Sequence, residues 1–387
     1  MLCTIISALS AARTHAQPSF TTSQFPYRDS TRPVDARVRD LLGRMTLDEK
    51  VAQLRSIWAD KNRLLGANRL FDTDNAARAL PLGIGRVERP SEGRSPAEQV
   101  AFTNALQHYL VEHTRLGIPA MMHEEALHGL MARDATSFPQ AIALASTWDP
   151  ALLERIFTAV ASEARARGTH QVLAPVVDVA RDPRWGRTEE TYGEDPYLVG
   201  RLGVAAVRGF QGRGALHDTL GPDRVIATLK HMTGHGQPES GMNTAPAPYG
   251  DHVLREVFLP PFEAAIHEAG AMSVMPSYNE WDGVPMHANA RILRGILRNE
   301  WAFRGTIASD WFGISQLISL HHVVADSARA AERALMAGVD VELPDPGVYA
   351  ALVPLVRAGR VPEAMVDSAV VRALRPKFLL GLFEHPY

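Results

Sequence analysis

The sequence has little of what would point to a secreted disulfide scaffold, a membrane protein or a nucleic-acid binder. It contains one cysteine, Cys3, in 387 residues, so no disulfide framework is expected. No run of about 18 apolar residues occurs beyond the extreme N-terminus, so no membrane-spanning helix is expected. The formal net charge is −3 and there is no long Lys/Arg run, which argues against nucleic acid and anionic lipid as partners.

The composition that remains is that of a globular protein. Hydrophobic residues make up 46% of the 387 residues, enough for two ordinary domains or one large barrel. The start, "MLCTIISALSAARTHAQ", combines an apolar stretch with a small-residue cleavage motif but lacks a basic segment. We interpret residues 1–29 as a signal peptide or a disordered tail. A periplasmic or secreted location is therefore expected, and a cytoplasmic one stays open.

Helix starts alternate with short apolar runs along the chain. Thr46 with Glu49, and Ser95 with Glu98, predict capping boxes, and two Asp-Pro pairs at 149–150 and 195–196 predict further helix starts. Between the helices lie runs rich in Val, Ile and Ala: "IPAMM", "QVLAPVVDV", "RVIATL", "AMSVMP", "GTIAS" and "AGVDVEL". Repeated alternation of a buried strand with a helix predicts parallel β/α units.

Polar clusters follow these apolar runs. "IPAMM" leads into "HEEALHG", "VLAPVVDV" into "ARDPRWGR", "VIATL" into "KHMTGHG", "SVMPS" into "YNEWDG", and "GTIAS" into Asp310-Trp311. In a β/α barrel these positions form the C-terminal rim, where catalytic groups from different strands converge. A single cluster would more simply be a capping network, but five in register favour an active site. The pattern therefore predicts a single-domain α/β fold, a TIM-type (β/α)8 barrel or a close variant.

Four segments resemble the signature motifs of glycoside hydrolase family 3, and in particular its bacterial β-glucosidases and β-xylosidases. They are "RLGIPAMMHEEALHG", "ARDPRWGRTEETYGEDP", "LKHMTGHG" and "IASDW", and they occur in the family's order. The resemblance runs from about Asp35 to Tyr387 and implies the family's N-terminal barrel domain, which we place at residues 30–387.

The resemblance implies that Asp310, in the "SDW" motif, is the catalytic nucleophile. A retaining glycosidase needs a carboxylate that attacks the anomeric carbon and a second group that switches from acid to base. A strand end would hold Asp310 rigidly, and Trp311 would offer an apolar wall or stacking face to a sugar ring. Taken alone, Ser-Asp-Trp is equally typical of a helix cap beside a core aromatic.

The resemblance also implies a set of residues that bind sugar hydroxyls. Lys230 and His231 would both contact the bound sugar, which requires the strand to end or bulge there because neighbours on an extended strand point to opposite faces. Arg187 would grip two adjacent hydroxyls with its planar fork. Glu125 stands where many members have an Asp, and the phenol of Tyr278 could hydrogen-bond Asp310.

One position departs from the family pattern. "ESGMN" has Gly241 and Met242 where several relatives have an arginine that completes the sugar-binding set. That contact is expected to be missing or to come from elsewhere in the chain.

Two of the motifs also resemble those of other kinds of protein. "HEEALH" resembles a zinc-binding helix, but the second histidine is at i+5 rather than i+4, so the two imidazoles of His123 and His128 would diverge on a helix. No metal is therefore implied. "KHMTGHG" is similar to a motif of the family's one-domain N-acetylglucosaminidases, but the following stretch, "QPESGMN", lacks their Asp-Ser-His triplet.

The sequence thus predicts a retaining, exo-acting β-glycosidase that acts on non-reducing terminal β-D-glucosyl or β-D-xylosyl residues of oligosaccharides. The alternatives are a β-N-acetylhexosaminidase and a non-catalytic sugar-binding barrel. No cofactor is implied, and the expected partners are a glycoside or oligosaccharide substrate but neither nucleic acid nor a membrane. In two-domain relatives an α/β sandwich supplies the acid/base Glu. We therefore expect a fragment, or a chain that pairs with a separately encoded sandwich, with His235 and Glu239 as the nearest substitutes.

Overall fold

The computed structural model describes residues 25–218, 220–344 and 347–387. The α-helices are α1 Val34–Arg44, α2 Leu47–Gln53, α3 Thr73–Ala79, α4 Pro96–His113, α5 Ala141–Ala145, α6 Pro150–Ala166, α7 Pro196–Gln211, α8 Asp251–Val253, α9 Pro260–Ala269, α10 Gln316–Ser319, α11 Ser327–Ala337, α12 Leu352–Arg357 and α13 Glu363–Leu379. Two segments, Leu254–Phe258 and Arg291–Glu300, are π-helical. Short 3₁₀ turns lie at Pro26–Arg28, Ala59–Leu64, Thr188–Glu190, Arg213–His217, Glu239–Gly241, Met286–Ala288 and Tyr349–Ala351.

The strands form one large parallel sheet and one small hairpin. They are β1 Ser56–Ile57, β2 Arg86–Glu88, β3 Met121–Glu124, β4 Gln171–Val172, β5 Ile226–Met232, β6 Ser273–Pro276, β7 Glu280–Trp281, β8 Val284–Pro285 and β9 Thr306–Ile307. The large sheet has the order β1-β2-β3-β4-β5-β6-β9, and β7 pairs with β8 in an antiparallel hairpin. Each strand of the large sheet pairs in parallel with the next, as helical connections between strands require.

An eighth segment closes the sheet into a barrel. Val341 forms a parallel bridge to Ala308, next to β9. On its other side the amide of Glu342 donates to the carbonyl of Leu54 at 2.9 Å, and the hydroxyl of Ser56 donates to the carbonyl of Glu342 at 2.9 Å. The last strand position therefore connects back to the first, which confirms the predicted barrel.

Local chemistry places the helices as the sequence predicts. Thr46 with Glu49, and Ser95 with Glu98, form capping boxes at α2 and α4. The Asp side chains of the two Asp-Pro pairs accept hydrogen bonds at the starts of α6 and α7. These contacts satisfy amides that the first helical turn leaves unpaired.

The strand predictions were less accurate. β1 and β2, which carry few apolar residues, were not predicted. "IPAMM" was placed too early, because β3 extends into His123 and Glu124. The long run "QVLAPVVDV" contains only the two-residue β4, since the amide-free Pro175 interrupts the ladder.

The main apolar core of the described residues lies between the sheet and the surrounding helices and is rich in Leu, Val, Ile, Ala and Phe side chains, and two smaller clusters of buried apolar residues accompany it. Within the described residues, no helix combines the length and apolar character that crossing a membrane requires.

Candidate active site

The predicted site residues converge at the carboxyl ends of the barrel strands. The structure places them in β5 or just after β3, β4, β6 and β9: Glu125 after β3, Arg187 in the loop after β4, Lys230 and His231 in β5, Tyr278 after β6, and Asp310 with Trp311 after β9. The contacts described below connect these residues into one network at the C-terminal rim.

Asp310 lies at the centre of this network and is only 6% exposed. Its Oδ1 accepts the amide of Trp311 at 2.7 Å, while Oδ2 has no hydrogen-bond partner among the described residues. Burial raises the pKa of Asp310 to about 6, and the charges of Arg187 and Lys230 act in the opposite direction. Above that pH the carboxylate is ionised and has one oxygen free to react.

His231 lies 3.8 Å from Asp310, measured from Nε2 to Oδ2. Its other ring nitrogen, Nδ1, lies 2.8 Å from Oδ2 of Asp178, and its main-chain amide donates to the same oxygen at 3.1 Å. Burial lowers the pKa of His231 well below its ordinary value, and the charge of Arg187 lowers it further. The imidazole is therefore neutral, with the proton on Nδ1 and a lone pair on Nε2.

Arg187 is fixed by two neighbours. Its guanidinium donates to both carboxylate oxygens of Glu190, each at 2.8 Å, and its Nη2 lies 2.9 Å from Nε2 of His231. Glu190 raises the pKa of Arg187 against the effect of burial, so the cation is permanent. The bidentate pair holds the guanidinium plane in one orientation beside Asp310.

Lys230 and Glu125 form a buried ion pair, with Nζ donating to Oε2 at 2.8 Å. Lys230 and His231 both reach the site because the register of β5 against β6 shifts between Leu229 and Met232, as predicted for two adjacent residues serving one ligand.

Arg89 supplies a cation that sequence analysis did not identify. It follows β2 and lies 3.8 Å from Oε1 of Glu125. Where the resemblance led us to expect an arginine, Met242 is exposed and Gly241 packs against the backbone of Arg184. Arg89 therefore adds a positive charge to the site from the side of the rim on which β2 lies.

Trp311 forms a wall at the edge of the site together with two side chains from the first two strands. Its ring centroid is 4.3 Å from that of Trp58, and the guanidinium of Arg89 lies 4.1 Å from the ring. Trp58 donates its indole N–H to Glu92 at 2.9 Å. This arrangement fixes the Trp311 ring and narrows the surface that it can offer to a ligand.

Tyr278 and His287 hold the backbone next to Asp310. The hydroxyl of Tyr278 donates to the carbonyl of Trp311 at 2.9 Å, and it also interacts with the Asp310 carboxylate, as predicted, which lowers the pKa of Asp310 against the effect of burial. His287 accepts the amide of Asp310 at its Nε2, at 2.9 Å. Both residues come from the segment between β6 and the π-helical stretch Arg291–Glu300, so one stretch of chain supports the loop that carries Asp310.

His235, one of the two acid/base substitutes suggested by position, is unsuited to that role. It is fully buried, and its Nε2 is 2.8 Å from the carbonyl of Asn243, which can only accept. Burial lowers the pKa of His235 to about 3, with a further lowering by Arg187. It therefore has no proton to donate from Nδ1 at neutral pH. Glu239, the second suggestion, is exposed on the following turn.

One cluster among the described residues has the composition of a metal-binding site. It consists of Asp178, His231 and His235, whose possible ligand atoms lie within 4.8 Å of one another. Arg187 lies 2.9 Å from His231, and Lys230 is its chain neighbour. Two fixed positive charges disfavour a divalent cation at this position, so we assign the group to hydrogen bonding. His123, from the zinc-like pattern, is in strand β3 and not on a helix.

Sequence analysis missed Asp178, Glu190, His287, Trp58 and Arg89. Asp178 was read as part of the strand "VVDV", although an acidic residue within an apolar run could have marked it. Glu190 is three residues after Arg187, a spacing at which side chains on a turn meet. Trp58 and Arg89 were missed because the strands before them were not predicted.

Comparison with known proteins identifies relatives for most of the chain. Residues 46–375 match the model of the glycosyl hydrolase family 3 N terminal domain. A putative β-xylosidase of Formosa agariphila is 37% identical over 373 residues, covering 96% of this chain and 49% of that protein. A periplasmic β-glucosidase of Salmonella typhimurium is 32% identical, covering 100% of this chain and 47% of the relative.

Solved structures show the same fold. A β-glucosidase from Erythrobacter marinus superposes with a TM-score of 0.88 at 41% identity, covering 94% of this chain and 47% of the other. A β-glucosidase from Listeria innocua gives a TM-score of 0.80 at 32% identity, covering 91% and 47%. The chain thus spans about half the length of the curated relatives it matches.

Proposed function

This chain belongs to glycosyl hydrolase family 3, and from that premise we propose that it is the barrel of a retaining, exo-acting β-glycosidase. In this proposal Asp310 is the nucleophile, and Glu125, Arg187, Lys230 and His231 bind the sugar hydroxyls. The substrates are non-reducing terminal β-D-glucosyl or β-D-xylosyl residues of oligosaccharides.

The observation that carries the proposal is the state of the Asp310 carboxylate. One oxygen is fixed by the Trp311 amide, and the other is buried without a hydrogen-bond partner among the described residues. Arg187 and Lys230 favour its ionised form. A buried carboxylate that is rigid and ionised, with one oxygen not engaged in a hydrogen bond, is suited to attack on carbon.

The proposed reaction has two steps. An oxygen of Asp310 attacks the anomeric carbon while the glycosidic C–O bond breaks, and the leaving oxygen takes a proton from a general acid. A glycosyl ester on Asp310 results. Water then attacks the same carbon, gives a proton to the conjugate base, and releases the sugar with its configuration retained and Asp310 regenerated.

The surrounding side chains suit the charge changes of this reaction. Arg187 and Lys230 are donors with fixed positions, and the lone pair on Nε2 of His231 accepts from Arg187 and helps to hold that guanidinium in place. Contacts of this kind accelerate the reaction when they strengthen as the sugar becomes planar and positively charged. Glucose and xylose differ by one hydroxymethyl group, and both sugars appear in the names of relatives, so the proposal includes both.

The test is covalent trapping. The chain is incubated with 2-deoxy-2-fluoro β-glucoside and β-xyloside carrying dinitrophenyl leaving groups, which need no acid, and is then digested for peptide mass spectrometry. We expect label on Asp310, at a higher rate for the preferred sugar, and none in Asp310→Asn. Label on another carboxylate would refute the nucleophile assignment, and binding of glucose or xylose without any labelling would favour a non-catalytic sugar-binding barrel.

We also propose a periplasmic or secreted location, supported by the apolar stretch of residues 1–17 and by the periplasmic name of one relative. These residues lie outside the described part of the chain. Expression with its own N-terminus and mass measurement of the exported and cytoplasmic fractions would test it. An uncleaved chain found only in the cytoplasm would contradict it.

A further inference from the structure

The hydrogen-bond ladder of the nucleophile strand ends immediately before Asp310. The amide of Ala308 donates to Val274 at 3.0 Å, and the amide of Ser309 donates to Val341 at 2.8 Å. Both acceptors are main-chain carbonyls of neighbouring strands. The next amide, that of Asp310, leaves the ladder and donates to the Nε2 of His287 at 2.9 Å. At Asp310, the residue whose side chain faces the site, an imidazole therefore takes the place of the main-chain carbonyl that a neighbouring strand would supply.

His287 is held against the nucleophile loop at a second point. It lies in the buried turn Met286–Ala288 and is 2% exposed. A side chain at Gly313 would collide with the imidazole ring, which means that the ring packs directly against the backbone three residues beyond Asp310. The loop from Asp310 to Gly313 thus folds around one edge of His287.

The direction of the hydrogen bond fixes the tautomer. An amide N–H can only donate, so Nε2 of His287 presents its lone pair and the ring proton is on Nδ1. Burial lowers the pKa of His287 to about 3, and the nearby His321 lowers it further. The accepting form is therefore the stable one at neutral pH.

We propose that His287 is a positioning residue, which sets the direction of the Asp310 carboxylate by accepting the hydrogen bond of the Asp310 amide. The inference rests on the proposed role of Asp310 as nucleophile. The amide and the carboxylate share one Cα, so rotation of the peptide plane swings the carboxylate with it. Displacement of a reacting atom by about 1 Å can reduce a rate by about 10²-fold.

The test compares substitutions that differ in the reach of the acceptor. The amide oxygen of glutamine in His287→Gln reaches the place of Nε2, whereas that of asparagine in His287→Asn reaches only the place of Nδ1. His287→Met has a similar length to the glutamine variant and no strong acceptor. The three variants are compared with wild type in the rate constant of inactivation and the binding constant for the dinitrophenyl 2-fluoro glycoside, with circular dichroism to confirm folding.

We expect the asparagine and methionine variants to inactivate about 10- to 100-fold more slowly with little change in the binding constant, and glutamine to recover most of the rate. Equal inactivation rates in all four proteins would overturn the inference. So would an equal loss in all three folded variants with weakened binding, because that indicates packing alone. If wild type carries its label on a residue other than Asp310, the proposed function fails first and this inference fails with it.

Discussion

Asp178 accepts two hydrogen bonds from His231 through the same oxygen, one from the imidazole at 2.8 Å and one from the main-chain amide at 3.1 Å. The two donors belong to one residue, so the carboxyl group fixes both the ring and the backbone of His231. Burial raises the pKa of Asp178 to about 8, which makes it an uncharged acid at neutral pH.

A neutral acceptor at position 178 should therefore replace the acid. We expect Asp178→Asn to keep kcat/KM for aryl glycosides within a few-fold of wild type. Asp178→Leu, of similar size but without an acceptor, should lose about 10- to 100-fold because His231 is no longer oriented. Steady-state kinetics of both variants provide the measurement. If asparagine is as damaging as leucine, Asp178 acts as an ion.

The raised pKa of Asp178 also predicts how stability depends on pH. Between the ordinary Asp pKa near 4 and about 8, the folded protein holds a proton on Asp178 that the unfolded chain has released. Stability from this group is therefore fully present below pH 4 and is lost as pH rises to about 8. Asp178→Asn lacks this titration, so its Tm relative to wild type should increase steadily from pH 4 to pH 8. A constant difference in thermal melts across that range would contradict the assignment.

The ionisation of Asp310, the proposed nucleophile, should determine how activity falls at low pH. Since Asp310 has a pKa of about 6 and reacts only when ionised, kcat/KM for aryl glycosides should fall tenfold per pH unit below that value. Arg187 lowers this pKa, so the midpoint in Arg187→Met should move to higher pH. Profiles recorded with a dinitrophenyl glycoside, which needs no acid, isolate this ionisation. An unshifted midpoint would show that Arg187 does not act on Asp310.

Loss of either of the two cations that we propose to bind sugar should weaken binding of the transition state. Lys230→Ala and Arg187→Ala should each cost about 2 to 4 kcal/mol in kcat/KM, or about 30- to 1,000-fold, because each removes a charge-assisted hydrogen bond and leaves a carboxylate unpaired. Arg184→Ala is the matched control, since Arg184 is two-thirds exposed and, among the described residues, its side chain forms an ion pair only with the nearby Asp182. Wild-type efficiency in a folded Lys230 or Arg187 variant would mean that the residue is a structural cation.

The choice of leaving group and the effect of azide should show whether the 387-residue chain has its own general acid/base. Three described carboxyl groups of the site are already engaged: Asp178 with His231, Glu190 with Arg187 and Glu125 with Lys230. We therefore expect the chain to hydrolyse cellobiose and xylobiose about 10² to 10⁴ times more slowly than nitrophenyl glycosides. Azide, a nucleophile that needs no base, should accelerate release from Asp310 as the β-glycosyl azide. Fast disaccharide hydrolysis that azide leaves unchanged would show that a described residue acts as acid/base, and Glu239→Gln would test the exposed candidate.

The sequence was sufficient to predict the barrel and some of the residues that meet at its rim. A polar residue directly after an apolar strand is a local signal, and in a parallel barrel all such positions face one side, so Asp310, Lys230 and His231 could be placed together. The caps of α2 and α4 were equally accessible, since each depends on residues three apart.

The supporting contacts could not be predicted in this way. The partners of His231 and Asp310 are 53 and 23 residues away in the chain, and their pairing depends on where loops cross in three dimensions. Trp58 and Arg89 follow strands of two and three residues, too short for periodicity to detect. Tyr278 interacts with both the Asp310 carboxylate and the Trp311 carbonyl, and the second of these contacts depends on the geometry of the loop.

The closure of the barrel has a consequence for synthesis on the ribosome. The hydroxyl of Ser56 meets the carbonyl of Glu342, 286 residues later, and the nucleophile strand lies next to that final segment. A nascent chain that has emerged only as far as Asp310 has an open sheet edge beside that residue, because the segment that contains Val341 and closes the barrel has not yet been made. The pocket is therefore completed only after Glu342 has emerged, when nearly the whole barrel has left the exit tunnel, and until then the unpaired edge is open to wrong pairing.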